Sequence, residues 1–104
     1  MPSLGVMAFH HVALFRWQPG TTPEQVEMVA PALEALAATL DGVVSYGCGP
    51  GMRLSETSYD FGVIAIFEGK PAWDAYMANA EHDRIRAELI VPIVVDRAGI
   101  QFER

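Results

Sequence analysis

One cysteine, Cys48, stands among 104 residues, which rules out an intrachain disulfide and any multi-cysteine metal knuckle. Cations are scarce: 7 Lys and Arg face 13 Asp and Glu, for a formal charge of −6. No basic cluster forms, so a nucleic-acid partner with its phosphate backbone is excluded as an expectation. No apolar run reaches the roughly 18 residues of a membrane span. The opening MPSLGVMAF lacks the basic segment of a secretory signal, so a cytoplasmic location is expected. Repeats, low-complexity tracts and linkers are absent, and the chain reads as one domain, 1–104. A chain this short buries less than about 70% of its unfolded surface, so a partner subunit would add materially to stability.

What is present is an orderly run of strand and helix patterns. FHHVALFRW, 9–17, is rich in β-favouring residues and stops at Pro19-Gly20. A helix is predicted over about 23–40, with Thr22 as N-cap, Pro23 in the first turn and Gln25 closing a capping box. Val26, Val29, Leu33, Leu36 and Leu40 form its apolar stripe, and Pro31 is expected to bend it. VVSYGCG, 43–49, reads as a second strand and YDFGVIAIFE, 59–68, as a third. A short helix is predicted from Pro71 to about Met77, then a second run capped by Asn79 and ended by Pro92. RAGIQFE, 97–103, closes the order β-α-β-β-α-β, an α+β ferredoxin-like sandwich on a four-stranded antiparallel sheet.

Period-two alternation divides the strands into faces. His11, Ala13, Phe15 and Trp17 share one side, and Tyr59, Phe61, Val63, Ala65 and Phe67 match them. Val12, Leu14, Ile64 and Ile66 point the opposite way and are also apolar. Helices cover one face of such a sheet, while the other normally meets water. A second copy of the chain is the most economical cover, so a homodimer through this face is expected. A monomer with a tolerated apolar patch is the alternative.

HHVALFRWQPGTTPEQV, LDGVVSYGCGPG, YDFGVIAIFE, AYMANAEH and VPIVVDR, in this order, resemble the stress-responsive A/B barrel (Dabb) family over roughly 9–103. The resemblance implies a dimeric α/β barrel, in which two ferredoxin-like protomers pack sheet to sheet. Most of the family has no assigned activity. One plant member is a polyketide cyclase, with a Tyr and a His six apart in the second helical region and another His on the first strand. The matching positions here are Tyr76, His82 and His11. Where the family has His-Pro between the Tyr and the later His, this chain has Asn79-Ala80, which keeps a helix start without proline's rigidity.

Each candidate has a plainer reading. His82 is either a solvated surface residue or a pocket base, for which an ordinary pKa near 6.5 is suitable. Tyr76 is either a packing residue or a hydrogen-bond donor to a carbonyl. His11 points into an apolar layer and needs a partner, which His82 or Tyr76 would supply. His10 points to the other face and receives no role. Ala13, Phe15 and Trp73 are the expected substrate-binding walls of a pocket between sheet and helices that would take a small apolar or aromatic ligand. Cys48 is read as structural. The three histidines lack the close paired spacing of a zinc site, so no metal and no cofactor is expected. Three functions stay open: a cyclase, lyase or isomerase acting on a carbonyl compound; a ligand-binding or stress-protective dimer without turnover; and a monooxygenase of the dimeric α/β barrel type.

Overall fold

A computed structural model describes residues 7–104. Residues 1–6, part of the opening stretch that bears on a leader, lie outside the described residues. Strands β1 (Phe9–Trp17), β2 (Val43–Pro50), β3 (Phe61–Phe67) and β4 (Val94–Glu103) form one antiparallel sheet in the order β2-β3-β1-β4. Helices α1 (Pro23–Glu27) and α2 (Val29–Ala37) join β1 to β2. Helices α3 (Lys70–Met77) and α4 (Ala80–Ile85), followed by a π-helical turn at Arg86–Ile90, join β3 to β4. This is the ferredoxin-like order that the sequence predicts.

The core lies between the helices and the inner face of β1 and β3. His11 pairs with Ala65, Ala13 with Val63 and Phe15 with Phe61, so the inner residues of both strands share one layer. Val29, Leu33 and Leu36 of α2, Tyr76 of α3 and Ile85 of α4 close over that layer. Phe61, Phe67, Leu33, Ile85 and Val29 are fully buried. Each such side chain contributes about 1.5–3 kcal/mol through removal from water.

Local chemistry sets the helix starts and stops. The Thr22 hydroxyl accepts from the Gln25 N–H, and the Gln25 side chain accepts from the Thr22 N–H. The helix is interrupted, but at Met28 and not at Pro31, which divides it into α1 and α2. Pro31 has no N–H for the Glu27 carbonyl and its ring crowds that carbonyl, so the ladder breaks upstream of the proline. Pro31 itself sits in the first turn of α2, where no N–H is needed.

Two strand ends also differ from the prediction. Asp60 takes the Trp17 N–H on its carboxylate and pairs with Arg53, so β3 begins only at Phe61. Tyr59 leaves the inner face and lies 4.0 Å from the Arg16 guanidinium. At the other end β4 begins at Val94, because the β-branched Val94 and Val95 extend the pairing beyond an irregularity between Arg16 and Trp17.

The outer face is apolar, as the alternation requires. Ile64, Ile100 and Phe102 are 63%, 57% and 42% exposed, beside the half-buried Val12, Leu14 and Ile66. His10 lies on this side, stacked on Phe102 with ring centroids 5.0 Å apart.

Gly42 fixes the entry to β2. Its φ is +80°, its carbonyl accepts from the Glu68 N–H, and an added Cβ would stand 2.7 Å from the Ala72 Cβ. Gly42→Ala is expected to destabilise the fold by about 1–3 kcal/mol, through left-handed strain plus displacement of α3. Gly49→Ala, where the added Cβ meets nothing within 4 Å, is the control. A urea midpoint for Gly42→Ala equal to that of the control would refute the close-approach argument.

Candidate functional site

The chain turns sharply between α3 and α4. Helix α3 ends at Met77, and Asn79 adopts an extended conformation with φ −69° and ψ 131°. The Asn79 side-chain oxygen accepts from the His82 N–H at 3.0 Å, which starts α4 in a new direction. The six residues from Tyr76 to His82 therefore do not run along one helix. Both side chains turn to the sheet, 3% and 5% exposed, with ring centroids 4.1 Å apart. His11 of β1 is 7% exposed, and its ring centroid is 6.1 Å from that of Tyr76.

These three rings border a cavity of about 300 Å³ between sheet and helices. Ala13, Phe15, Leu33, Val63 and Ile90 supply apolar wall, while Arg86 and Arg97 supply charge. Trp73 is not part of this wall. It packs against Phe9 and His11, with centroids 5.4 and 6.0 Å away, and so backs the His11 ring from the side of α3. The π-helical turn shapes the far wall. Its Val91 N–H donates to the Arg86 carbonyl at 2.8 Å, a five-residue step that adds one residue to the turn. The shift buries Ile90 where an unbroken α-helix would present Leu89. Arg86, one α-turn beyond His82, shares the inward side.

The polar groups are unequally satisfied. The Gln101 amide nitrogen donates to His11 Nδ1 at 2.9 Å, which selects the neutral ring with its proton on Nε2. Burial lowers the pKa of His11 in agreement with that state. The Tyr76 and Tyr46 hydroxyls are 2.8 Å apart and share one hydrogen bond. Burial raises both phenol pKa values, so both stay protonated and one proton of the pair is left over to donate. His82 Nδ1 is buried without a hydrogen-bond partner. Burial first, then the Arg86 charge, lowers the His82 pKa to about 4, so the ring is neutral at pH 7. Among the described residues no three His, Cys, Asp or Glu side chains gather as metal ligands. Cys48 faces the Ala30 carbonyl at 3.8 Å, and burial raises its pKa to about 11, so it stays an unreactive thiol.

Tyr46, Gln101, Arg86 and Arg97 are site residues that sequence reasoning missed. Tyr46 alternates with Cys48 on β2, and a phenol on an inner face needs a partner. The four-residue step from His82 was a readable signal for Arg86. Gln101 and Arg97 had none, because their positions opposite His11 and Phe15 depend on the register of β4.

The sequence profile of the stress responsive A/B barrel domain (Dabb) matches residues 9–104. The chain belongs to the Dabb family. Among solved structures, this Dabb chain is similar to a dimeric ferredoxin-like protein of unknown function from Thermobifida fusca. The two are 36% identical with a TM-score of 0.85, over 96% of this chain and 93% of that one. A Dabb family protein from Mesorhizobium loti shares the fold at 16% identity and a TM-score of 0.76, over 92% and 95% of the two chains. A hydroxynitrile lyase from Passiflora edulis shares it at 8% identity and a TM-score of 0.79, over 93% of each chain. No curated protein matches the sequence. No helix among the described residues is long and apolar enough to cross a membrane.

The buried histidine of this Dabb chain has a consequence for stability. The folded pKa of His82, about 4, is below the ordinary 6.5, so between these values the unfolded chain binds more protons. Stability from the neutral ring is complete above pH 6.5 and is lost as pH falls towards 4. The loss is expected to reach about 3 kcal/mol. Urea unfolding of wild type and His82→Phe at pH 7 and pH 4.5 checks it: wild type should lose more stability on acidification. Equal losses would show that His82 does not carry the effect.

Proposed function

We propose that the protein is a homodimer with a small-molecule cavity in each protomer, where His82 and Tyr76 act on a carbonyl compound in a cyclase, lyase or isomerase step. The observation that carries this reading is the buried, neutral His82 ring against Tyr76 on the wall of one apolar cavity. A few convergent polar groups in an apolar hollow are the usual form of a small-ligand site. Tyr46 holds the Tyr76 hydroxyl, and the remaining phenol proton is donated to the ligand's carbonyl oxygen. Neutral His82 takes a proton from the carbon or hydroxyl beside that carbonyl. Negative charge developing on the oxygen favours the imidazolium that forms. His11, fixed by Gln101, orients the ligand or His82 through its free N–H. Ala13 and Phe15 hold the apolar body of the ligand, and Trp73 supports them indirectly by fixing the His11 ring.

The low proton affinity of His82 favours a second reading, a dimer that holds its ligand without turnover. Deuterium exchange at the methyl group of acetophenone in heavy water separates the two. A base at the cavity accelerates exchange, and His82→Gln is expected to lower that acceleration by about 10²–10⁴-fold. Binding without acceleration supports the second reading, and equal acceleration in His82→Gln removes His82 as the base.

The homodimer rests on the uncovered Ile64, Ile100 and Phe102 and on the likeness to the dimeric Thermobifida fusca protein. Wild type is expected to sediment with the mass of two chains at micromolar concentration. Ile64→Lys would bury an unpaired charge in the interface and should give a monomer or an unfolded chain. A wild-type monomer at that concentration would overturn the assembly.

A further inference from the structure

Acidic residues outnumber basic ones 13 to 7 in the sequence, yet the cavity reverses the balance. Its wall contains Arg86 and Arg97 and, among the described residues, no Asp or Glu. Neither arginine is neutralised by the fold. Arg86 approaches Asp83 only at 4.0 Å, and that carboxylate is 62% exposed, where water weakens the pair. Arg97 enters no ion pair among the described residues. It lies opposite Phe15 on β4, a strand exposed along most of its length. The two histidines add no charge of their own, since burial holds both rings neutral.

The Arg86 charge is felt inside the cavity. It lowers the proton affinity of both the His82 ring and the Tyr76 phenolate. A loosely paired guanidinium beside an apolar hollow is complementary to a planar anion, which it binds through two parallel N–H bonds.

We propose that the cavity selects a ligand with a small apolar body and one carboxylate, the body against Ala13, Phe15 and Val63 and the carboxylate on Arg86, with Arg97 at the rim. This rests on the cavity being a ligand site and adds the charge of the ligand. A volume of about 300 Å³ limits the body to one ring or a short chain. The carboxylate also has a predictable effect on the neighbouring base: by offsetting Arg86 it raises the pKa of His82. An uncharged ligand of the same shape leaves the Arg86 effect in place. Of the other groups that set the His82 pKa, Asp83 lies on the same helix and His11 faces it from β1. Both are present with either ligand, so a comparison of the two isolates the ligand's charge.

The test compares 4-acetylbenzoate with 4-acetylbenzamide, matched in shape and in ketone, by calorimetry and by NMR titration of the His82 ring. Wild type is expected to bind the benzoate about tenfold tighter or more, with a rise in the His82 pKa that the benzamide does not cause. Arg86→Gln should remove the preference for the benzoate over the benzamide, while Arg86→Lys should retain part of it. Circular dichroism verifies the fold of each variant. Equal affinities, with both compounds perturbing the His82 ring, would overturn the carboxylate preference and leave the ligand site standing. Perturbation of His82 by neither compound would overturn both.

Discussion

A slip of one residue in β1 against β3 would carry His11 and Ala13 out of the core and turn Val12 and Leu14 into it. Everything described above depends on that register. It is held from both sides, since β1 is paired along its length with β3 on one flank and β4 on the other. The inner residues of β3 are large and apolar at Phe61, Val63 and Phe67, and all three are buried under the helices. The small Ala65 opposite His11 leaves room for an imidazole in a layer otherwise filled by aliphatic and aromatic groups. The site thus begins as a consequence of sheet pairing, before any helix is placed over it.

Placing polar rings in that layer has a cost, and the structure offsets it unevenly. His11 is compensated by Gln101 and Tyr76 by Tyr46, each partner arriving from a different strand. His82 receives backbone support from Asn79 but nothing at Nδ1. A buried nitrogen without a partner costs about 1–3 kcal/mol, which packing elsewhere must supply. The Trp17 and Trp73 Nε1 atoms are buried without a partner as well, so what distinguishes His82 is that its ring borders the cavity beside Tyr76.

The fold was largely legible because it is written in short-range patterns. Alternation in FHHVALFRW and YDFGVIAIFE separated the two faces, Thr22 and Gln25 marked a helix start, and Asn79 marked the break that turns His82 to the sheet. The early limit of β3 was missed because a long-range contact overrides local preference. Asp60 shortened β3 by binding Trp17 and Arg53, partners distant or unremarkable in sequence. The helix breaks at Met28, a local effect, because a proline disrupts the carbonyl of the turn before it and not its own position. Within the site, the three rings were legible from spacing and resemblance. Their partners were not: Gln101 is 90 residues from His11, and only the pairing of β1 with β4 brings them together. The π-helical turn at Arg86–Ile90 left no local signal that periodicity could separate from an α-helix.

The same strand geometry keeps the two faces of the sheet chemically apart. His11 and Val12 are adjacent in sequence, yet one borders the cavity and the other lies on the uncovered apolar face beside Ile64 and Ile100. Their side chains are separated by the sheet itself, so the two surfaces communicate only through backbone position. Packing a second copy on Val12 and Leu14 would therefore hold the strand that carries His11 and Ala13 without placing any atom in the cavity. Assembly of the proposed dimer would then stiffen the inner wall, since a short chain with one apolar face uncovered has less to hold β1 flat. On this account the outer face governs how firmly the cavity keeps its shape. What the cavity accepts is left to the residues that alternate inward, and to the helical turn that brings His82 and Arg86 over them.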